Sequence, residues 1–256
     1  MISLNREIIA EAQKCIEPHI PQTSISSYNI PMNTYKLSPS DLTFLWDDCK
    51  RCFYLKVVHK IARPATPMPA IFIKIDGLMK EFYQGKATQE ISPSLPPGFV
   101  HFGEKWVESQ PIRLPGHSHA CYIKGKFDTV VRFEDGSYGV VDFKTSTPKP
   151  THLAFYGRQL HAYAYALEHA EVGKFSLTPI SRLGLLVVEP NAMDKTQEGR
   201  IAYLGDVTWQ EVPRDDGTFL QFLGEVLNIL EQPTPPAPAE KCPYCQYRQP
   251  PQSSFW

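Results

Sequence analysis

Residues 122–144 read YIKGKFDTVVRFEDGSYGVVDFK, two β-forming runs joined at Asp135-Gly136. An Asp-Gly step between such runs is a strong hairpin signal, and this hairpin constrains the chain more than any other feature because its register decides which side chains meet. A two-residue loop places Asp128 opposite Phe143, whereas a three-residue loop or a single bulge moves it to the face of Asp142. Side chains alternate along a strand, so Asp142 and Lys144 share one face while Val141 and Phe143 share the other. The shifted register is the expectation. It gathers two carboxylates and an ammonium at one strand end. For an isolated Asp-x-Lys a salt bridge at a sheet edge is the plain reading; the lone acid in the preceding run argues for a site. Asp128, Asp142 and the carbonyl of Phe143 are hard oxygen ligands of the kind Mg²⁺ or Mn²⁺ takes together with waters. Lys144 is a compact cation suited to orienting an attacking water or to neutralising charge on a phosphoryl oxygen.

Around the hairpin the order of elements is helix-rich. Residues 3–16 have the spacing of a short amphipathic helix and lead through a Pro/Ser-rich connector to Leu37. Ser38, Pro39 and Asp41 form a start signal for a helix running to Arg63-Pro64, with Leu42, Leu45, Cys49, Cys52, Phe53 and Val57 on one stripe. A second helix is predicted over 71–84 and a strand near EKWVESQPI. After the hairpin come a helix in THLAFYGRQLHAYAYALEHA, strands in SRLGLLVVEP and IAYLGDVTWQEV, and a helix in GTFLQFLGEVLNIL. On the first of these helices Tyr156, Gln159 and Tyr163 share one face and Leu160, Ala164 and Leu167 another. The pattern predicts an α/β fold of the mixed α+β kind, a central mixed sheet flanked by helices.

The bulk numbers exclude more than they name. With 42% hydrophobic and 21% charged residues the chain is ordinary globular material, and a formal net charge of −1 argues against a purely electrostatic nucleic-acid binder. Neither a signal peptide nor a run of about 18 apolar residues is present, so the expectation is a cytoplasmic protein without a membrane partner. There the six cysteines read as thiols or metal ligands rather than disulfides.

Taken in order, Cys49 in CKRCFYL, Gly125 and Asp128 in GKFD, Asp142 and Lys144 in VVDFKTS, Gln159 and Tyr163 in QLHAYAYALE, and the late Cys242 and Cys245 resemble the PD-(D/E)XK nuclease superfamily. The likeness is to its RecB-type branch of CRISPR-associated exonucleases and helicase–nuclease domains, and it covers about residues 38–248. The resemblance implies a restriction-endonuclease-like core whose Asp128 and Asp142 bind the divalent metal, whose Lys144 is the catalytic lysine, and whose Gln159 and Tyr163 position the DNA backbone or the active-site groups. The implied activity is hydrolysis of DNA phosphodiester bonds, as an exonuclease on single-stranded or free ends in repair, recombination or CRISPR-type processing, with a protein partner in such a complex. A silent DNA-binding or scaffold protein on the same fold is the alternative.

Two departures stand out. RecB-type enzymes carry a histidine metal ligand in a pattern like G-x-x-x-H, and in the nearest match, DGLMKEF, Lys80 stands for the histidine, one residue short of that spacing. A protonated lysine does not ligate metal, so the site has fewer protein ligands, relies on a neighbour such as Glu81, or is inactive. The iron–sulfur members place one cysteine early and three late. Here the split is two and two, Cys49/Cys52 with Cys242/Cys245, which still makes a Cys₄ set for a 4Fe–4S cluster or, alternatively, structural Zn²⁺. Such a set clamps the chain's two ends, dividing it into an N-terminal helix and connector (1–37), a nuclease-like domain (38–231) and a proline-rich tail (232–256) that packs back on the helix at 40–60. Cys15 and Cys121 read as ordinary thiols. Lys50, Arg51, Lys56, Lys60 and Arg63 are candidates for following a phosphate backbone, and Tyr54, Trp106 and Tyr156 for stacking on bases.

Overall fold

A computed structural model describes residues 33–65 and 67–248; the expected helix over 3–16, and Cys15 with it, lie outside them. The strands are β1 (Thr34–Leu37), β2 (Gly98–Phe102), β3 (Lys105–Glu108), β4 (Ala120–Phe127), β5 (Thr129–Phe133), β6 (Tyr138–Thr145), β7 (Ile180–Gln197) and β8 (Arg200–Val212). The helices are α1 (Lys50–Val57), α2 (Ala70–Tyr83), α3 (Thr88–Ile91), α4 (Thr151–Glu168), α5 (Asp216–Leu230) and α6 (Pro243–Tyr247). The strands form two mixed sheets, in the orders β2-β5-β6-β7-β8 and β1-β4-β3. Among the described residues only β6/β7 and β1/β4 run parallel. The fold is mixed α+β, sheets flanked by helices. No helix among the described residues is long and apolar enough to cross a membrane.

The hairpin takes the expected register. Thr129 pairs with Val141 and Arg132 with Tyr138, and the Phe133 N–H donates to the Ser137 carbonyl across a three-residue loop. Gly136 closes that loop at φ +87°, a conformation cheap only for glycine. Asp135 steadies it by accepting from the Ser137 N–H and hydroxyl. The run expected as one strand over 122–133 instead divides at Asp128. Its first part, β4, joins the small sheet and its second, β5, the large one. The reason is visible at the break, where the Asp128 carboxylate takes the Phe143 N–H at 3.2 Å in place of a strand carbonyl.

Alternation along the strands then sorts the large sheet into two packed faces. Val140, Leu183, Leu185 and Val187 join the core with Leu160 and Leu167 of α4 and Leu223 and Leu227 of α5. Val131, Val141, Phe143 and Leu186 pack with Met79 and Tyr83 of α2. Asp142 lies between Val141 and Phe143 in sequence, so it points toward α4.

The helix expected from Ser38 to Arg63 is interrupted. It begins at Pro39, widens into a π-turn over Asp41–Leu45, resumes at Trp46–Asp48, and leaves helical geometry at Cys49 (φ −166°, ψ 108°) before α1. No proline or glycine lies at the break. The extended Cys49 brings its sulfur to the tail cysteines, so tertiary contact overrides local propensity.

Candidate active site

Asp142 is the buried centre of the cluster, 3% exposed. Its Oδ1 accepts from Gln159 Nε2 of α4 at 3.2 Å, and its Oδ2 pairs with the Lys144 ammonium. Lys144 in turn lies over the Tyr156 ring, 4.6 Å from its centroid, a cation–π contact that holds the side chain over the site. Burial raises the Asp142 carboxyl; Lys144 draws it down and Asp128 pushes it up again, which leaves it at about 6. Burial works against the Lys144 charge too, but Asp142 and Asp128 outweigh it and hold the ammonium above its ordinary value. Lys144 is therefore a cation and donor at neutral pH, not a base.

Asp128 stands opposite Asp142 by extension of the hairpin register. Its Oδ2 is held by the Phe143 N–H, and its Oδ1 lies 2.9 Å from the ammonium of Lys80. Lys80 thus reaches the cluster from α2, beside the position where the resemblance leads one to expect histidine. Asp76 at 2.7 Å and Glu104 at 2.6 Å also hold it. Burial lowers the Lys80 ammonium, but these three acids raise it well above its ordinary value. Glu81, the neighbour considered as a substitute ligand, is exposed on α2. Glu104 escaped sequence reasoning because nothing marks a short β2–β3 connection as part of a site.

Tyr163 is 5% exposed, and its hydroxyl donates to the Lys126 carbonyl at 2.8 Å. It grips the backbone two residues before Asp128. Gly125 explains itself in the same place: a Cβ there would lie 2.7 Å from Pro39 Cδ and 3.2 Å from Tyr163 Cε1. Pro39 is a rigid ring, so Gly125→Ala has to push β4 away from the start of the first helix and from Tyr163. Overpacking of this kind costs about 1–3 kcal/mol, or roughly 2–10 °C in Tm for a chain of this size. Thermal unfolding checks this; an unchanged Tm contradicts the close packing.

The basic run does not form a continuous track. Lys50 lies over Trp46, Arg51 donates to the Pro236 carbonyl, Lys56 pairs with Asp41, and Lys60 donates to the Val57 carbonyl. Arg63 sits at the cysteines, with Nη2 3.3 Å from Cys242 Sγ. Of the candidate stacking residues, Tyr54 is 3% exposed and donates to the Gln232 carbonyl, Tyr156 lies under Lys144, and Trp106 is 63% exposed.

Away from the carboxylates, Cys49, Cys52, Cys242 and Cys245 are all buried, with their sulfurs within 4.8 Å of one another, a set that can hold a metal. Burial raises the Cys49 thiol, but N–H groups of Ala239 and Cys52 and the neighbouring sulfurs outweigh it and bring it to about 7. Cys121 stands apart, and burial pushes it up to about 12.

Comparison with known proteins gives the arrangement its relatives. Among solved structures, the one titled "Crystal structure of SSO0001" resembles 78% of this chain over 78% of its own, at 18% identity and a TM-score of 0.43. No curated protein matches the chain. The profile of the PD-(D/E)XK nuclease superfamily matches residues 95–249, more than half of the sequence and all of β4 through α6. On that match, the chain belongs to the PD-(D/E)XK nuclease superfamily.

Proposed function

We propose that the protein is a metal-dependent nuclease that hydrolyses DNA phosphodiester bonds, acting on single-stranded DNA or free ends. The observation that carries this reading is the convergence of Asp128, Asp142, Lys144 and Gln159 on one side of the sheet. The donor set fits a divalent ion. Two carboxylates face each other across the hairpin, and the N–H and C=O of a strand residue share one lateral direction, so the Phe143 carbonyl points the same way as the N–H that meets Asp128. Asp128, Asp142 and that carbonyl are the residues to hold Mg²⁺ or Mn²⁺, with waters completing the shell. Gln159 Oε1 is a buried acceptor without a hydrogen-bonding partner among the described residues, open to a water or a hydroxyl. When bound, a divalent ion supplies positive charge to the phosphate and acidifies a water.

The remaining chemistry belongs to the chain. Lys144 donates to the phosphoryl oxygen on which charge develops, and Gln159 fixes the orientation of Asp142. Tyr163 acts as a positioning residue, holding the backbone that carries Asp128. Beside Tyr163 and Gly125 opens a cavity of about 520 Å³ lined by Lys36, Lys56, Lys60, Lys124, Lys126 and Trp106. Lysines beside an exposed indole suit a strand whose bases are free to stack, which supports the preference for single strands.

Lys80 favours the rival reading, a silent DNA-binding protein, because its ammonium sits on a metal-binding carboxylate. End-labelled single- and double-stranded DNA, incubated with Mg²⁺, Mn²⁺ or EDTA, separates the two. The nuclease reading expects divalent-dependent cleavage, faster on single strands. It also expects Lys80→His to lower the Mn²⁺ concentration for half-maximal rate by roughly tenfold, as a neutral ligand replaces a competing cation. Intact DNA under every condition, with both proteins, sinks it.

A further inference from the structure

We propose that the four cysteines hold one tetrahedral Zn²⁺ rather than the 4Fe–4S cluster that the family resemblance implies. The argument is the spacing of the sulfurs. Cys49 and Cys245 stand 3.7 Å apart, Cys52 and Cys242 3.7 Å, and Cys52 and Cys245 3.5 Å, with all four inside 4.8 Å. Four sulfurs about 2.3 Å from one central zinc form a tetrahedron with edges of about 3.8 Å. Three of the six edges, at 3.5–3.7 Å, lie close to that figure, and the other three are within 4.8 Å. In a 4Fe–4S cluster each thiolate binds a different iron, so the sulfurs lie outside a cube of iron and sulfide that forces them apart. Sulfurs already in mutual contact leave no room for eight atoms between them. Nor are these disulfides, since bonded sulfurs lie about 2.05 Å apart.

The surroundings suit a closed structural centre. All four ligands are protein thiolates, 1–6% exposed, with no open position for a substrate. Two pairs of identical spacing meet: Cys49 precedes α1 and Cys52 lies in its first turn, while Cys242 precedes α6 and Cys245 lies in its first turn. Zn²⁺ with four thiolates carries a net charge of −2, and Arg63 is placed against it. Its Nη2 lies 3.3 Å from Cys242 Sγ, its guanidinium stacks 4.6 Å from the Tyr244 ring centroid, and its side chain is only 16% exposed. Its Nη1 pairs with Asp48, which orients the guanidinium, and its Nη2 N–H reaches sulfur, so Arg63 is a positioning residue for the centre. This explains why the last residue of the basic run is turned away from solvent.

The full chain, purified anaerobically from cells grown without added metal, is assayed for metals, acid-labile sulfide and visible absorption. One zinc per chain, no labile sulfide and no colour are expected. Iron and sulfide at about four each in a brown protein overturn the assignment, as does a single iron. Replacing the metal with Co²⁺ is expected to give the intense visible bands of a tetrahedral thiolate site; their absence counts against the geometry. Arg63→Gln is expected to release zinc to a chromogenic chelator roughly tenfold faster than the parent, in line with the loss of an outer partner. Equal release rates remove Arg63 from the centre. None of these readouts involves cleavage, so the zinc assignment and the nuclease reading stand or fall separately.

Discussion

Lys144→Ala is expected to slow DNA cleavage by roughly 10²–10³-fold, the usual loss when one preorganised donor to developing charge is removed. The structure adds a second cost. Lys144 is the cation paired with Asp142, and removing one partner of a buried pair strands the other. Asp142 already sits high because burial and Asp128 both raise it, so without Lys144 it takes up a proton and weakens as a metal ligand. Lys144→Arg separates the two effects. It keeps the charge that holds Asp142 ionised, but its planar fork cannot occupy the same point above Tyr156. The arginine variant is therefore expected to keep most of the Mn²⁺ affinity and still lose most of the rate, whereas the alanine variant loses both. Single-turnover cleavage and Mn²⁺ titration by calorimetry measure these separately. If both variants cut at the parental rate, Lys144 has no part in the chemistry.

How much of this was legible beforehand depended on how local the determining contact was. The hairpin register could be read because Asp135-Gly136 sets the loop and the loop sets which face Asp128 occupies; no distant residue takes part. The division of that run at Asp128 could not, since it depends on the carboxylate replacing a strand carbonyl toward Phe143. β1 was hidden for a similar reason. Four residues inside a Pro/Ser-rich stretch carry little strand signal, and their partner in β4, Thr34 against Ala120 for instance, lies far along the chain. Lys80 was marked by its place beside the G-x-x-x-H position, yet Glu104, which helps to neutralise its ammonium beside Asp128, was not. The basic run from Lys50 to Arg63 does not act as one track because charge in sequence carries no direction. In space Lys50, Arg51 and Arg63 turn to Trp46, Pro236 and Cys242, while Lys56 and Lys60, held by Asp41 and the Val57 carbonyl, line the cavity beside Tyr163.

The largest expected stability effect belongs to the four cysteines, a set that can hold a metal. Between α5 and α6 the tail carries four prolines, Pro233, Pro235, Pro236 and Pro238, and it offers little apolar surface of its own to bury. What fixes it is the four-sulfur set, helped by hydrogen bonds from Arg51 to the Pro236 carbonyl, from Tyr54 to the Gln232 carbonyl and from Arg248 to the Ala62 carbonyl. Those bonds join the tail to the segment 51–62, so they form only once the tail is in place. A metal that binds the folded set and not the open chain contributes its binding free energy to folding. Cys245→Ser removes the sulfur that contacts both Cys49 and Cys52, and is expected to lower Tm by roughly 10 °C or more, several kcal/mol at about 2–4 °C each. Limited proteolysis is expected to cut the variant first within 232–248, because the clamp is lost before the sheet opens. The carboxylate cluster stands at the β4–β5 break, on β6 and on α4, none of which the tail builds, so residual cleavage below the new Tm is expected to survive. A variant that melts with the parent and resists the protease shows that packing alone holds the tail.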